Sequence, residues 1–276
     1  MMFQMPFSWK KFFFFVLFLA LTGCSGTTTP KPETESSPEE PLKPEPSQSQ
    51  LSMVKQLKLD NTETGDDDLK KIVDENPNLI ELTLTGTKIT DNGVRHLTQL
   101  KKLKKVRISK TAISNEVGES LAKISTLEDI DVSQTDFGND GLAALKLLPR
   151  LKRLNLYTTK INDNGLDVLK NFASAKTIVW LNIDQCPLTD AAIAKLVPLE
   201  HLEWLHLGRT ELTDFGLDDL TQLKTLKEVS ITNTKVSRGG VDKLKTALPD
   251  CKINENVENL EKIGENRKDG GKDVSP

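Results

Sequence analysis

Aliphatic residues recur at a fixed spacing from Val54 to Ile253. Residues 202–225, LEWLHLGRTELTDFGLDDLTQLKT, show the unit most cleanly, as L-x-x-L-x-L-x-x-T-x-L-T-D-x-G-L-x-x-L-x-x-L-x-x. The unit restarts at Val54, Leu79, Leu103, Leu127, Leu151, Ile178, Leu202 and Leu226, at intervals of 25, 24, 24, 24, 27, 24 and 24 residues. A period in this range marks a solenoid, in which each unit buries its apolar side only by stacking on its neighbours.

Within each unit the pattern changes from a period of two to a helical one. The L-x-x-L-x-L segment alternates apolar and polar residues and predicts a strand with one buried face. Leu82 and Leu84, Leu154 and Leu156, and Leu205 and Leu207 point inward, and successive strands stack as a parallel sheet. The ninth position is small in every unit: Thr62, Thr87, Thr111, Thr135, Thr159, Cys186, Thr210 and Thr234. A hydroxyl there can satisfy backbone groups where the chain bends. Thr90-Asp91, Asn162-Asp163, Thr189-Asp190 and Thr213-Asp214 then place capping oxygens and negative charge where free helix amides collect. Apolar residues three and four apart, such as Leu217, Leu220 and Leu223, predict one short amphipathic helix per unit. Gly93, Gly141, Gly165, Gly216 and Gly240 stand just before its first apolar position, where a missing side chain permits close packing on the next coil.

Strand, small residue, I-T-D-x-G-L and short helix together resemble the leucine-rich repeat family, closest to its ribonuclease-inhibitor-like and cysteine-containing varieties. The resemblance covers about 200 residues in eight units. It implies an α/β fold: a right-handed solenoid with a parallel concave sheet and short convex helices. Three units depart from the pattern. The third reverses the Gly-then-aliphatic order at Val117-Gly118, and the fifth carries three extra residues around Ala173-Ser174-Ala175. The first, with Gly65 to Leu69, is degenerate, as a terminal cap should be. Leu248 to Ile253 reads as a truncated ninth strand, and Val257, Leu260 and Ile263 as a small cap before a charged, glycine-containing tail.

The stretch before the repeats has another character. Lys10 and Lys11 precede an apolar run, Phe12 to Leu21, that is too short to span a bilayer as a helix. Directly after it, Leu21-Thr22-Gly23-Cys24 resembles the bacterial lipobox, which implies cleavage before Cys24 and acylation of that cysteine with palmitate-like chains. Two chains give stable anchoring where one is marginal. Ser25 after the cysteine resembles the outer-membrane sorting pattern of bacteria with two membranes. Ser25 to Gln50 holds six prolines and five glutamates, with Leu42 its only large apolar residue. Such a stretch buries too little apolar surface to offset its ordering entropy, and predicts an extended tether. The organisation expected is therefore a signal peptide over 1–23, a lipidated Cys24 and tether over 24–50, the solenoid over 51–253, and a cap with charged tail over 254–276. The protein would be a monomer in the bacterial cell envelope, outside the cytoplasm.

Composition narrows the function. A net charge of −3 with 28% charged residues offers no basic face for nucleic acid. Three cysteines exclude a disulfide scaffold, and Cys186 and Cys251, three coils and about 14 Å apart by strand spacing, lie too far apart to bridge. Asp60 to Asp68 looks like a calcium loop, but its twelfth position is Lys71, so these acids read as helix-start residues. No phosphate loop, nucleophile elbow or zinc spacing occurs, which argues for neither an enzyme nor a cofactor.

The third, fifth and seventh positions of each strand point away from the core. In the family these line the concave face, its usual binding surface. Both tryptophans beyond Cys24, Trp180 and Trp204, and the chain's only tyrosine, Tyr157, fall on this face in three consecutive units. Trp180 and Trp204 share a position on adjacent strands and are predicted to stack, with His206 and Tyr157 in reach and Arg153 and Arg209 at the margin. Asn182 and Asp184 complete the cluster. Clustered Trp, Tyr and Arg mark interfaces, so a protein or peptide partner is expected here. The alternatives are an envelope structural or adhesion role, a carbohydrate site on the tryptophans, and aromatic pairing that only stabilises the sheet.

Overall fold

The computed structural model describes residues 54–256. Cys24, expected to be lipidated, the stretch read as a tether and Val257, Leu260 and Ile263, expected to form a cap, lie outside the described residues. Among the described residues, nine three-residue strands form one parallel sheet in sequence order. They are β1 (Gln56–Lys58), β2 (Glu81–Thr83), β3 (Lys105–Arg107), β4 (Asp129–Asp131), β5 (Arg153–Asn155), β6 (Trp180–Asn182), β7 (Trp204–His206), β8 (Glu228–Ser230) and β9 (Lys252–Asn254). The third position of each coil pairs with the third position of the next, as in Asp129 with Arg153 and Trp180 with Trp204. β9 is the ninth strand read from Leu248 to Ile253.

The three extra residues of the fifth coil leave this register intact, since Arg153 pairs with Trp180 across them. They fold into the return segment, where the Ala173 amide donates to the Lys146 carbonyl at 2.8 Å and the Thr177 amide to the Ser174 carbonyl at 2.8 Å.

The helical side is less uniform than the apolar spacing predicts. Six coils carry an α-helix: α1 (Asp66–Glu75), α2 (Asp91–Val94), α3 (Val117–Ala122), α4 (Asn139–Ala144), α5 (Asp214–Leu220) and α6 (Arg238–Ala247). The fifth and sixth coils instead form 3₁₀-helices, Asp163–Asn171 and Asp190–Leu196. An α-helix is about 10–12 Å across while strands repeat every 4.7–4.9 Å, so slimmer 3₁₀ turns relieve crowding on this side.

Inward leucines of neighbouring coils merge into one continuous core running from Leu69 to Cys251. Leu82, Leu84, Leu154, Leu156 and Leu207 are completely buried and Leu205 nearly so, as the alternation requires. The ninth-position hydroxyls do what the turn demands. Thr87, Thr111, Thr159 and Thr210 each donate to the carbonyl three residues back, at 2.6–2.7 Å. Cys186 replaces the hydroxyl with a thiol that donates to the Leu156 carbonyl at 3.1 Å. It and Cys251 are free and buried.

The residue before each of these is left-handed in every coil: Asn61, Gly86, Lys110, Gln134, Thr158, Gln185, Arg209 and Asn233, with φ between 52° and 69°. Only one is glycine, so the coil imposes this conformation against side-chain preference, most severely at β-branched Thr158.

The helix-start acids bind the following coil as well as standing at their own helix. Asp66, Asp91, Asp163, Asp190 and Asp214 each accept a backbone amide and a hydroxyl from the capping residue one coil on: Thr90, Ser114, Thr189, Thr213 and Ser237. The hydroxyls of Thr90, Thr189, Thr213 and Ser237 in turn cap their own helices, as Thr90 accepts the Asn92 amide. The result is a ladder of charge-assisted bonds along one edge of the solenoid. Glycine is required beside it, because a Cβ on Gly216 would meet Asp190 Oδ1 at 2.7 Å and Leu212 Cδ1 at 2.6 Å.

Candidate functional site

Strand register carries Tyr157, Trp180, Trp204 and His206 to the outward face of β5–β7 and the turns that follow, and each is half-buried there. The predicted Trp180–Trp204 stack does not form. Trp180 packs instead on His206, with ring centroids 5.4 Å apart and planes at 52°. The two tryptophans are backbone partners, but the rings have other neighbours. The Arg153 guanidinium carbon lies 4.4 Å from the Trp180 centroid and the Lys227 ammonium 5.3 Å from the Trp204 centroid. Arg209 covers Tyr157 at 5.4 Å. Cation–π attraction of this kind competes directly with ring–ring stacking.

Each covering cation is also held by a carboxylate. Arg153 Nε lies 3.5 Å from Asp129 Oδ2, Arg209 Nη2 lies 3.0 Å from Asp184 Oδ1, and Lys227 Nζ lies 2.9 Å from Glu203 Oε2. Asp184 Oδ1 gets proximity to Arg209 without a well-aligned hydrogen bond. Gly208 opens the space for this carboxylate, since a Cβ there would meet Asp184 Oδ2 at 2.8 Å and Thr232 Oγ1 at 2.7 Å. The sequence motif did not bring out Asp129, Glu203, Lys227 or Gln185, which accepts the Tyr157 hydroxyl at 3.2 Å. A signal was present, because charge signs alternate at one-coil spacing through Asp129 and Arg153 and through Glu203 and Lys227.

Asn182 supports the face from within it, its side-chain oxygen accepting the Asp184 amide at 3.0 Å. Burial pushes the Asp184 carboxyl above its ordinary range, opposed by Arg209 and His206. Burial pushes His206 below its ordinary value, with Glu228 and Asp184 opposing and Arg153 reinforcing. Asp129 is also raised by burial, against the pull of Arg153. His206 is therefore a neutral, half-buried platform at neutral pH.

The acids of the calcium-like stretch are engaged in local bonds. Asp60 accepts the Thr85 amide and the Thr83 hydroxyl, and Asp68 accepts the Gly65 amide. Among the described residues no group of three or more His, Cys, Asp or Glu is placed to hold a metal ion, and no helix is long and apolar enough to cross a membrane. A cleft of about 740 Å³ lies on the helical side, lined by Arg95, Glu116, Glu119, Lys123 and Asp140 among others. It contains none of the aromatic residues, and Arg95 is already paired with Glu116 at 2.9 Å.

One strand per coil, leucines turned inward and, in all but the sixth coil, a turn hydroxyl bonded back to the strand define a leucine-rich repeat solenoid. The family model described as Leucine Rich repeat matches residues 75–97 and 123–146, and the chain is a leucine-rich repeat protein. Among solved structures it is similar to internalin C2 from Listeria monocytogenes str. 4b F2365, with 22% identity over 76% of this chain and 84% of that one, at a TM-score of 0.58. At that identity the likeness carries the fold. Comparison with curated proteins gives no match.

Proposed function

We propose that this is an extracytoplasmic leucine-rich repeat lipoprotein, anchored through Cys24, whose outward sheet face binds a protein or peptide partner. The observation that carries the reading is the concentration of Tyr157, Trp180, Trp204 and His206 on consecutive coils, half-buried, with Arg153 and Arg209 folded over two of the rings. Large, rigid aromatic side chains contribute contact area at little entropic cost, and Trp, Tyr and Arg dominate interface energy. Asn182 and Asp184 hold the turn beneath them. The protein acts as a monomer on a proline-rich tether that gives the face reach from the membrane.

Trp180→Ala combined with Trp204→Ala abolishes capture of a partner from envelope extracts while the circular dichroism of the solenoid is unchanged. Loss of the folded signal in that variant would instead assign the aromatic cluster to sheet stability. Labelling with a palmitate analogue tests the anchor, since Cys24→Ala removes the label if the lipobox reading holds.

A further inference from the structure

Ion pairs on the sheet face are unevenly exposed, and the inequality always favours the cation. In the pairs over the rings, the Arg153, Arg209 and Lys227 side chains are 43%, 44% and 62% exposed, against 19%, 13% and 27% for Asp129, Asp184 and Glu203. The same holds for Lys104 and Lys152 on Glu128, and for Lys252 on Glu228. Away from this face the exposures follow no one direction: Lys235 and Glu211 are 62% and 60% exposed, Lys160 and Asp136 are 67% and 70%, Lys195 is 22% against 57% for Asp167, and Lys245 is 46% against 14% for Glu255. The cause is length. A carboxylate in or beside a strand lies down against the sheet, while the longer Lys or Arg from the neighbouring coil arches over it and keeps its charged end in water.

Although its formal charges nearly cancel, this face therefore presents positive groups outermost. Three of them lie over the rings of Tyr157, Trp180 and Trp204. A guanidinium backed by an aromatic ring and drawn at one edge toward a carboxylate is restricted in orientation, with N–H groups left to bind a further carboxylate in fork geometry. Pre-orientation lowers the ordering cost of binding.

Resting on the reading of this face as a partner-binding surface, we propose that the partner presents an acidic peptide segment, whose Asp or Glu carboxylates are bound by Arg153, Arg209 and Lys227. Complementary charge of this kind also speeds encounter at low salt.

The test uses the full-length protein and three fluorescein-labelled decapeptides, rich in Glu, Gln or Lys, read by fluorescence anisotropy at 50 and 300 mM salt. The Glu-rich peptide is expected to bind, at least tenfold more weakly at the higher salt, and the other two are not. Arg153→Gln with Arg209→Gln weakens that binding tenfold or more, while Lys160→Gln with Lys235→Gln, in turns beyond the aromatic cluster, leaves it unchanged. Equal binding of the Gln-rich peptide, an equal effect of the Lys160, Lys235 pair, or tighter binding of heparin than of the Glu-rich peptide would each overturn the assignment. The wider reading fails separately. If envelope capture depends on Trp180 and Trp204 but is indifferent to the arginine substitutions, the face binds a partner that is not acidic. If capture is indifferent to both sets, the face is not the binding surface.

Discussion

The inter-coil ladder gives a sharp stability prediction at Asp190. Its carboxylate accepts the Thr213 amide at 2.7 Å and the Thr213 hydroxyl at 2.6 Å, in a partly buried position. Hydrogen bonds to a charged group contribute about 1.5–3 kcal/mol each, and partial exposure places both at the lower end. Asp190→Ala is therefore expected to destabilise the array by about 2–3 kcal/mol. Asp190→Asn keeps an acceptor for the amide and should cost about 1 kcal/mol or less. The third coil already uses that solution, with the side-chain oxygen of Asn115 accepting the Gly138 amide at 2.6 Å. Repeat arrays open locally, so amide hydrogen exchange at Thr213 should accompany urea denaturation. Asp190→Ala should accelerate exchange at Thr213 strongly, while the Thr90 amide, held by Asp66 in a distant coil, stays protected. Unchanged protection at Thr213, or a loss below about 0.5 kcal/mol as for an ordinary surface substitution, would show that the ladder does not hold the coils together.

Other consequences follow from single residues. Thr158→Gly should stabilise the fold by about 1 kcal/mol in urea titration, because it relieves a left-handed β-branched residue and removes a buried hydroxyl without a partner; destabilisation would refute the strain. His206 is pushed below its ordinary value of 6.5 in the folded state, so the unfolded chain binds the extra proton first. Its contribution is intact above about pH 6.5 and is lost as pH falls toward the lower folded value. His206→Gln should therefore show a smaller drop in denaturation midpoint between pH 7 and pH 5.5 than the parent protein, and an equal drop would contradict the assignment.

Much of the architecture was legible because the coil makes the same demand every 24 residues or so. Leu82, Leu154 and Leu205 must face inward, and the ninth-position threonines must serve the turn. The left-handed residue before them was hidden, since Asn61, Lys110, Thr158 and Arg209 share no side-chain chemistry and the conformation comes from closure of the coil. Thr-Asp pairs announced helix starts, but a capping motif does not show that the Asp also reaches across to the next coil. Strand spacing placed Trp180 beside Trp204 correctly in the backbone. It could not decide ring contacts, which turned on whether Arg153 and Lys227 reached the rings first. The depth of each charge was equally hidden, because the list of Asp, Glu, Lys and Arg says nothing about which partner arches over the other.

On the proposed reading, the aromatic cluster on β5–β7 and their turns binds a partner and is more than a brace for the sheet. The most direct measurement is envelope capture by the Trp180→Ala, Trp204→Ala double variant, beside its circular dichroism and urea midpoint. If the cluster binds a partner, capture is lost while the spectrum is retained and the midpoint shifts only modestly. Capture equal to that of the parent protein, or collapse of the fold, would contradict it.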